Sequence, residues 1–271
     1  QGYTGSIMDA ARTAGAGGAT VISRIINLVI VVLLGAVLVK AKQHPERESN
    51  RAVMGQIIRI GLPSACETAI YNVSMTLVIR FLNQMDAQGL NVTARSYTMQ
   101  ITNFSYCVGA ALAQANAIMT GWHIGAKEYD ACDRGTKKAA VIGVIVAVIL
   151  ETVFTLCSGW IMQLFSKDPQ MVSLVGKLLA IDIVLEIGRV TNLVYGQALK
   201  TSGDAVFPVV MGVCFMILCS VGGTYLFGIR LGLLAVGAYI GMAGDECVRA
   251  IGMYLRWKSG KWKEKGLIKS R

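Results

Sequence analysis

The chain reads as an all-α protein, a polytopic membrane helix bundle of seven transmembrane helices. Three observations predict this. Of 271 residues, 54% are hydrophobic and only 15% charged, where soluble globular chains carry about 25% charged residues. The mean hydropathy is +0.54. The apolar residues also arrive in runs of about 20, the length that crosses a bilayer core as a helix.

The runs predict spans over residues 19–39, 62–82, 96–121, 139–157, 172–195, 209–227 and 233–255. Residues 1–18 precede them as an external segment, 40–61 form a charged, mildly amphipathic connection, 62–255 make one six-helix unit, and 256–271 are a basic tail. Pro63 sits in the first turn of the second span, where its missing N–H costs nothing. The third span is the most polar, with Gln100, Asn103, Gln114 and Asn116. It is tenable only if that side faces protein or water. Glycines recur within spans, as at Gly143 and Gly222-Gly223, where helices come close or bend. Trp160, Trp257 and Trp262 fall where interface anchors are expected.

The span count is tested by the positive-inside rule, because a wrong count scrambles the alternation of Lys and Arg between connections. Seventeen of the 26 basic residues fall on one side, in 40–61, around 127–138, at Lys200 and in the tail; the other side holds three, Arg12, Lys167 and Arg230. The N-terminal segment is therefore expected outside and the tail in the cytoplasm of a cell-membrane protein. Most of the net charge of +10 is topology, so the basic segment WKSGKWKEK (257–265) reads as an orientation determinant beside anionic lipid and no nucleic-acid partner is expected.

No metal or redox chemistry is expected. The seven cysteines lack C-x-x-C spacing and read as small buried residues, and His44 and His123 both lie in polar connections with no H-E-x-x-H. The chain has no G-x-x-x-x-G-K-S/T, so no ATP-driven motor, and no Ser in a G-x-S-x-G context or His within a span, so no enzyme. A retinal protein needs a mid-span Lys on its last helix, and 233–255 contains none.

The chemistry lies in six acids within spans: Glu67, Glu151, Asp182, Glu186, Asp245 and Glu246. Each costs about 2.5–3.5 kcal/mol at a helix centre even on a lenient insertion scale, so they must face the bundle interior or a cavity. Asp182, Glu186 and Arg189 are four and three apart, and at about 100° per residue they share one stripe, with Asn192 and Gly196 at its edge. Asp245 and Glu246 precede Arg249 by four and three residues, so that Arg pairs with either but not fully with both. Near a membrane end, that trio reads as a packing lock. Glu67 has Tyr71 and Ser74 on its face and no basic residue at helical spacing, which makes it a proton or cation site together with Asp182 and Glu186. Glu151 has no partner on its own helix. Arg80 and Lys177 snorkel from helix ends. TSGDAVFP (201–208) is a turn with Pro208 opening the next helix.

Six segments in order, GGATVISRI (17–25), IGLPSACE (60–67), QANAIMTGWHIGAKEYDA (114–131), EIGRVTN (186–192), TSGDAVFP (201–208) and AGDECVRAIGMYLRWKSGKW (243–262), resemble the multidrug and toxic compound extrusion (MATE) family, closest to its bacterial, Firmicutes-type members. The resemblance implies two six-helix lobes, of which this chain matches the sixth helix and the second lobe. It implies a secondary antiporter that expels cationic, amphipathic drugs or toxic compounds in exchange for H⁺ or Na⁺, with no other cofactor. It also implies the lipid bilayer, a small organic cation and a first lobe of the same polypeptide as partners. In some members an acid on the seventh helix and one on the tenth hold the coupling cation; Glu67 and Asp182 are the nearest matches, with Glu186 competing for the second place. A lipid-linked oligosaccharide flippase of the same architecture is the alternative, which a strongly basic central cavity would favour.

Overall fold

The computed structural model describes residues 15, 18, 19, 21–34, 50–86 and 89–264, and among these there is no strand. The chain divides into two compact units, 1–55 and 56–271. The first contains a short apolar helix, α1 (Val21–Leu34), inside the expected first span. Residues 20 and 35–39 of that span, residues 1–14, 16, 17 and 40–49, and the tail beyond residue 264 lie outside the described residues.

The second unit is built from α2 (Asn50–Met85, entering from the first), α3 (Leu90–Gly125), α4 (Tyr129–Leu156), α5 (Ser158–Met162), α6 (Pro169–Thr201), α7 (Val206–Phe215) and α8 (Leu234–Lys258). Past Phe215, α7 widens into π-helical turns over Met216–Val221 and Thr224–Arg230. A 3₁₀ turn, Lys261–Glu264, ends the described chain. Each of the six apolar runs expected in this unit falls on a helix, and every helix that carries one, α8 excepted, overshoots it at the N-terminal end. Hydropathy marks only the part of a helix that lipid solvates, while the backbone ladder continues into the polar zone at no cost. The overshoot is largest at α2, which starts within the expected 40–61 connection. Pro63 therefore lies in a helix interior rather than a first turn, and the carbonyl one turn back loses its N–H partner.

Helix α4 is inverted relative to a helix of a soluble protein. On α4 the exposed stripe is Val141, Ile145, Ile149 and Val153, whereas the buried stripe is Cys132, Thr136, Ala140, Gly143, Ala147 and Glu151. Small and polar residues pack inside because lipid leaves apolar side chains nothing to gain by burial. By length and composition alone, α4 and the α7 rod are apolar enough to cross a membrane; α6 and α8 fall short because they carry the buried acids.

α6 is the central strut and packs against α3, α4, α5, α7 and α8. Close approach is made by glycine. A methyl at Gly109 or Gly143 would lie 2.8 or 2.7 Å from the Val190 side chain, one at Gly188 would lie 2.7 Å from the Cys247 backbone nitrogen, and one at Gly223 2.8 Å from Gly241 Cα. These contacts draw α3 and α4 onto α6, α6 onto α8, and α7 onto α8. α6 starts cleanly: Pro169 opens it and the Asp168 carboxylate accepts a 2.9 Å hydrogen bond from the Gln170 backbone N–H.

Three expectations are corrected. All seven cysteines are free, but only Cys132 is buried; Cys66, Cys107, Cys157 and Cys214 are exposed on helix surfaces, where a thiol is apolar enough for lipid contact. Trp160 is exposed as an anchor would be, whereas Trp257 and Trp262 are each 1% exposed. Their rings stack at 4.2 Å, because the turn after α8 folds the tail back onto its own helix. In α3, Asn103 reaches the central cavity and Asn116 meets Thr136 at 3.4 Å, but Gln100 and Gln114 stand exposed.

Candidate functional site

Two features meet in the middle of the second unit: a cluster of buried acids and a cavity of about 700 Å³. The cluster is formed by Glu151 of α4 with Asp182 and Glu186 of α6, whose carboxylate oxygens lie within 4.8 Å of one another. Glu151 and Glu186 are fully buried and Asp182 nearly so. Local helix geometry brings the α6 pair together, since residues four apart share a face. Glu151 joins them through packing, two turns beyond the Gly143 contact with Val190.

One guanidinium serves the cluster. Arg189 donates from Nη1 to Glu186, and its Nε lies 3.9 Å from Glu246 of α8. Both oxygens of Glu151, Oδ2 of Asp182 and Oε2 of Glu186 are buried without a hydrogen-bond partner. Three carboxylates beside one Arg form a buried set of hard oxygen donors, chemistry that suits protons or a small cation.

On α8, Arg249 pairs with both neighbours: its Nε lies 3.0 Å from Asp245 and its Nη2 2.8 Å from Glu246. The fork is shared between the two carboxylates, with Arg249 Nε and Asp245 Oδ1 both buried without a hydrogen bond. Asp245 also accepts from Ser220 Oγ at 2.9 Å, where the π-helical turn of α7 faces it, and Glu246 accepts from Asn192 Nδ2 at 3.0 Å. This group ties α6, α7 and α8 together.

Glu67 does not join the cluster. Its Oε2 is 2.7 Å from Nζ of Lys200, and the basic partner that α2 lacks comes from α6 instead. Lys200 is eighteen residues beyond Asp182, about 27 Å along the helix at 1.5 Å per residue. The expected shared site of Glu67 and Asp182 is therefore two places: an ion pair at one end of the cavity and an acid cluster deeper in.

The cavity is bounded by α2, α3, α6, α7 and α8. Its acids are Glu67, Asp182 and Glu246, its bases Arg95, Arg189, Lys200 and Arg249, and between them lie Met75, Met99, Met216, Met242, Met253, Tyr71, Tyr106 and Tyr239. Flexible thioethers and aromatic faces adapt to varied apolar shapes. Glu151, Arg95 and Lys200 escaped the sequence reading as site members, Lys200 having been read only as a charge in a connection. Glu151 carried a signal, a lone acid in an apolar span; Arg95, near the start of α3, carried none.

The MatE family model matches residues 63–226, more than half of the chain. The chain belongs to the MatE family. This MatE chain is 33% identical over 256 residues to the uncharacterized transporter YisQ of Bacillus subtilis (strain 168), covering 94% of this chain and 56% of that protein. It is 22% identical over 203 residues to a probable multidrug resistance protein NorM of Pasteurella multocida (strain Pm70), covering 70% and 42%. Among solved structures, the eukaryotic MATE transporter AtDTX14 superposes with a TM-score of 0.78 at 16% identity over 89% of this chain and 54% of that one. A MATE protein in the straight conformation gives 0.77 at 18% over 88% and 55%. The structural likenesses establish the fold, a helical bundle, and membership of the family places the MatE chain in a membrane. It spans about half the length of the curated relatives it matches.

Proposed function

We propose that this MatE chain supplies one lobe of a secondary antiporter that expels amphipathic organic cations in exchange for H⁺ or Na⁺, with the other lobe provided by the same polypeptide and the basic tail in the cytoplasm. The observation that carries the reading is the buried Glu151–Asp182–Glu186 cluster, whose Asp182 also faces the cavity. Loading the cluster with a proton or Na⁺ removes charge repulsion inside the helix packing, and emptying it restores that repulsion, so the ion binds one packing of the helices better than another. Such a difference in affinity is what couples an ion gradient to alternating access. Arg189 keeps the emptied state tolerable by holding Glu186 and approaching Glu246. No residue of this chain is assigned a catalytic role.

The flippase alternative is not favoured. It calls for a strongly basic cavity, whereas here four bases face three acids and Arg189, Lys200 and Arg249 are each engaged by a carboxylate.

The test uses the full-length protein in proteoliposomes with an imposed proton or Na⁺ gradient and a fluorescent organic cation. Glu151→Gln combined with Asp182→Asn is expected to cut gradient-driven exchange at least about tenfold, the effect of some 1.4 kcal/mol in coupling. Unchanged gradient-driven exchange overturns the assignment.

A further inference from the structure

Of the four basic side chains on the cavity, three are matched by acids, and Arg95 is not. Among the described residues no carboxylate lies within ion-pair distance of it. Its Nη2 donates only to the weak acceptor Met75 Sδ at 3.7 Å, and its Nε is buried with no partner at all. The residue is 5% exposed. A guanidinium has five N–H donors and keeps its charge under all conditions, so burying it beside a thioether is costly unless something else fills its fork. The side chain belongs to the cavity wall: Met99 and Thr102, one and two turns further along α3, line the same space, as do Tyr239 and Met242 of α8. The acids Asp182 and Glu246 face it from α6 and α8. One space thus carries an unmatched positive pole on α3 and acids on other helices, joined by thioether and aromatic surface.

We propose that Arg95 is the receptor for a carboxylate on the transported solute, so that this cavity takes amphipathic zwitterions, cationic at one end and anionic at the other. The inference rests on the cavity being the solute site of the proposed antiporter. A carboxylate meets a guanidinium with two parallel hydrogen bonds, a strong and directional pairing. The cationic end of the solute then lies towards Asp182, so its charge and the coupling ion compete for the same acids.

The test uses two dyes that differ only in that group: rhodamine 110, a free acid that is zwitterionic at neutral pH, and rhodamine 123, its methyl ester and a plain cation. Binding to the purified full-length protein in lipid nanodiscs is followed by fluorescence anisotropy. The wild type is expected to hold the acid about tenfold more tightly than the ester, as a charge-assisted hydrogen bond of about 1.5 kcal/mol or more would give. Arg95→Gln is expected to abolish that preference, weakening the acid about tenfold and leaving the ester within about twofold; Arg95→Lys keeps part of it. Retained ester binding shows the variant folded. Equal wild-type affinity for both dyes, or parallel loss of both in Arg95→Gln, overturns the proposal, the second outcome marking Arg95 as structural. Absence of gradient-driven rhodamine 123 efflux would instead sink the antiporter reading while the two binding affinities still report on Arg95.

Discussion

Glu67 on α2 and Lys200 on α6, 133 residues apart in sequence, form an ion pair at 2.7 Å on the wall of the cavity. Both side chains are only about a fifth exposed, so neither charge is comfortable alone. Lys200→Met strands Glu67, and Glu67→Gln strands Lys200. A double-mutant cycle on thermal unfolding in detergent is expected to give a coupling of about 1 kcal/mol or more, with the double variant more stable than either single variant's cost would add up to. Strict additivity would show the pair to be inert.

The acid cluster predicts opposite outcomes for two neutral replacements. Glu151→Met removes one of three crowded carboxylates and should leave the melting temperature unchanged or higher, because replacing buried charge by apolar volume is often neutral or stabilising. Arg189→Met strips Glu186 of its hydrogen-bonded counter-charge and should destabilise by about 3–5 kcal/mol, the usual cost of leaving a buried charge alone. Comparable losses from both would mean that Glu151 carries no excess repulsion.

Gly237→Ala places a methyl against the Phe227–Gly228 peptide, which is backbone and cannot swing aside. A cost of about 1–3 kcal/mol or more is expected from overpacking at the α7–α8 contact. Gly244→Ala on the same helix meets nothing within 4 Å and serves as the control. Within a helix the Gly→Ala change alone is favourable by about 0.5–1 kcal/mol, so the two variants should move melting temperature in opposite directions.

Trp262 stacks on Trp257, contacts Tyr129 edge-on and donates through Nε1 to the Trp257 carbonyl at 3.0 Å. Trp262→Ala removes this fully buried ring, a loss of about 3–5 kcal/mol in a well-packed site. Because Trp262 sits in the short 3₁₀ turn that follows α8 and packs back on that helix, the damage is expected as local release of this turn rather than global unfolding. Trypsin should then cut at Lys258 and Lys261 faster than in the wild type, with the helical circular dichroism little changed.

What could be read along the chain is what a single helix decides. Asp182, Glu186 and Arg189 were expected on one stripe, and the Arg189 to Glu186 bond is there; Arg249 was expected within reach of the acids three and four residues back without satisfying both fully, and it lies within ion-pair distance of each. Spacing of three or four residues brings side chains together whatever the rest of the molecule does. Glu67 misled because its partner lies on another helix. Trp257 and Trp262 misled because near-end tryptophans read as lipid anchors until the turn after α8 stacks one on the other.

The residues alone determined that this is a membrane-embedded helical bundle, where its apolar spans run, and which MatE-type motifs they carry, because a bilayer imposes length and polarity on each helix separately. Only the tertiary structure decided that Glu151 completes an acid cluster with α6, that Lys200 neutralises Glu67, and that Arg95, of the cavity's cations, meets no carboxylate among the described residues. Those relations depend on how closely glycines let α3, α4, α7 and α8 approach α6 and one another. Interhelical distance is a property of packing, with no period along the chain to announce it.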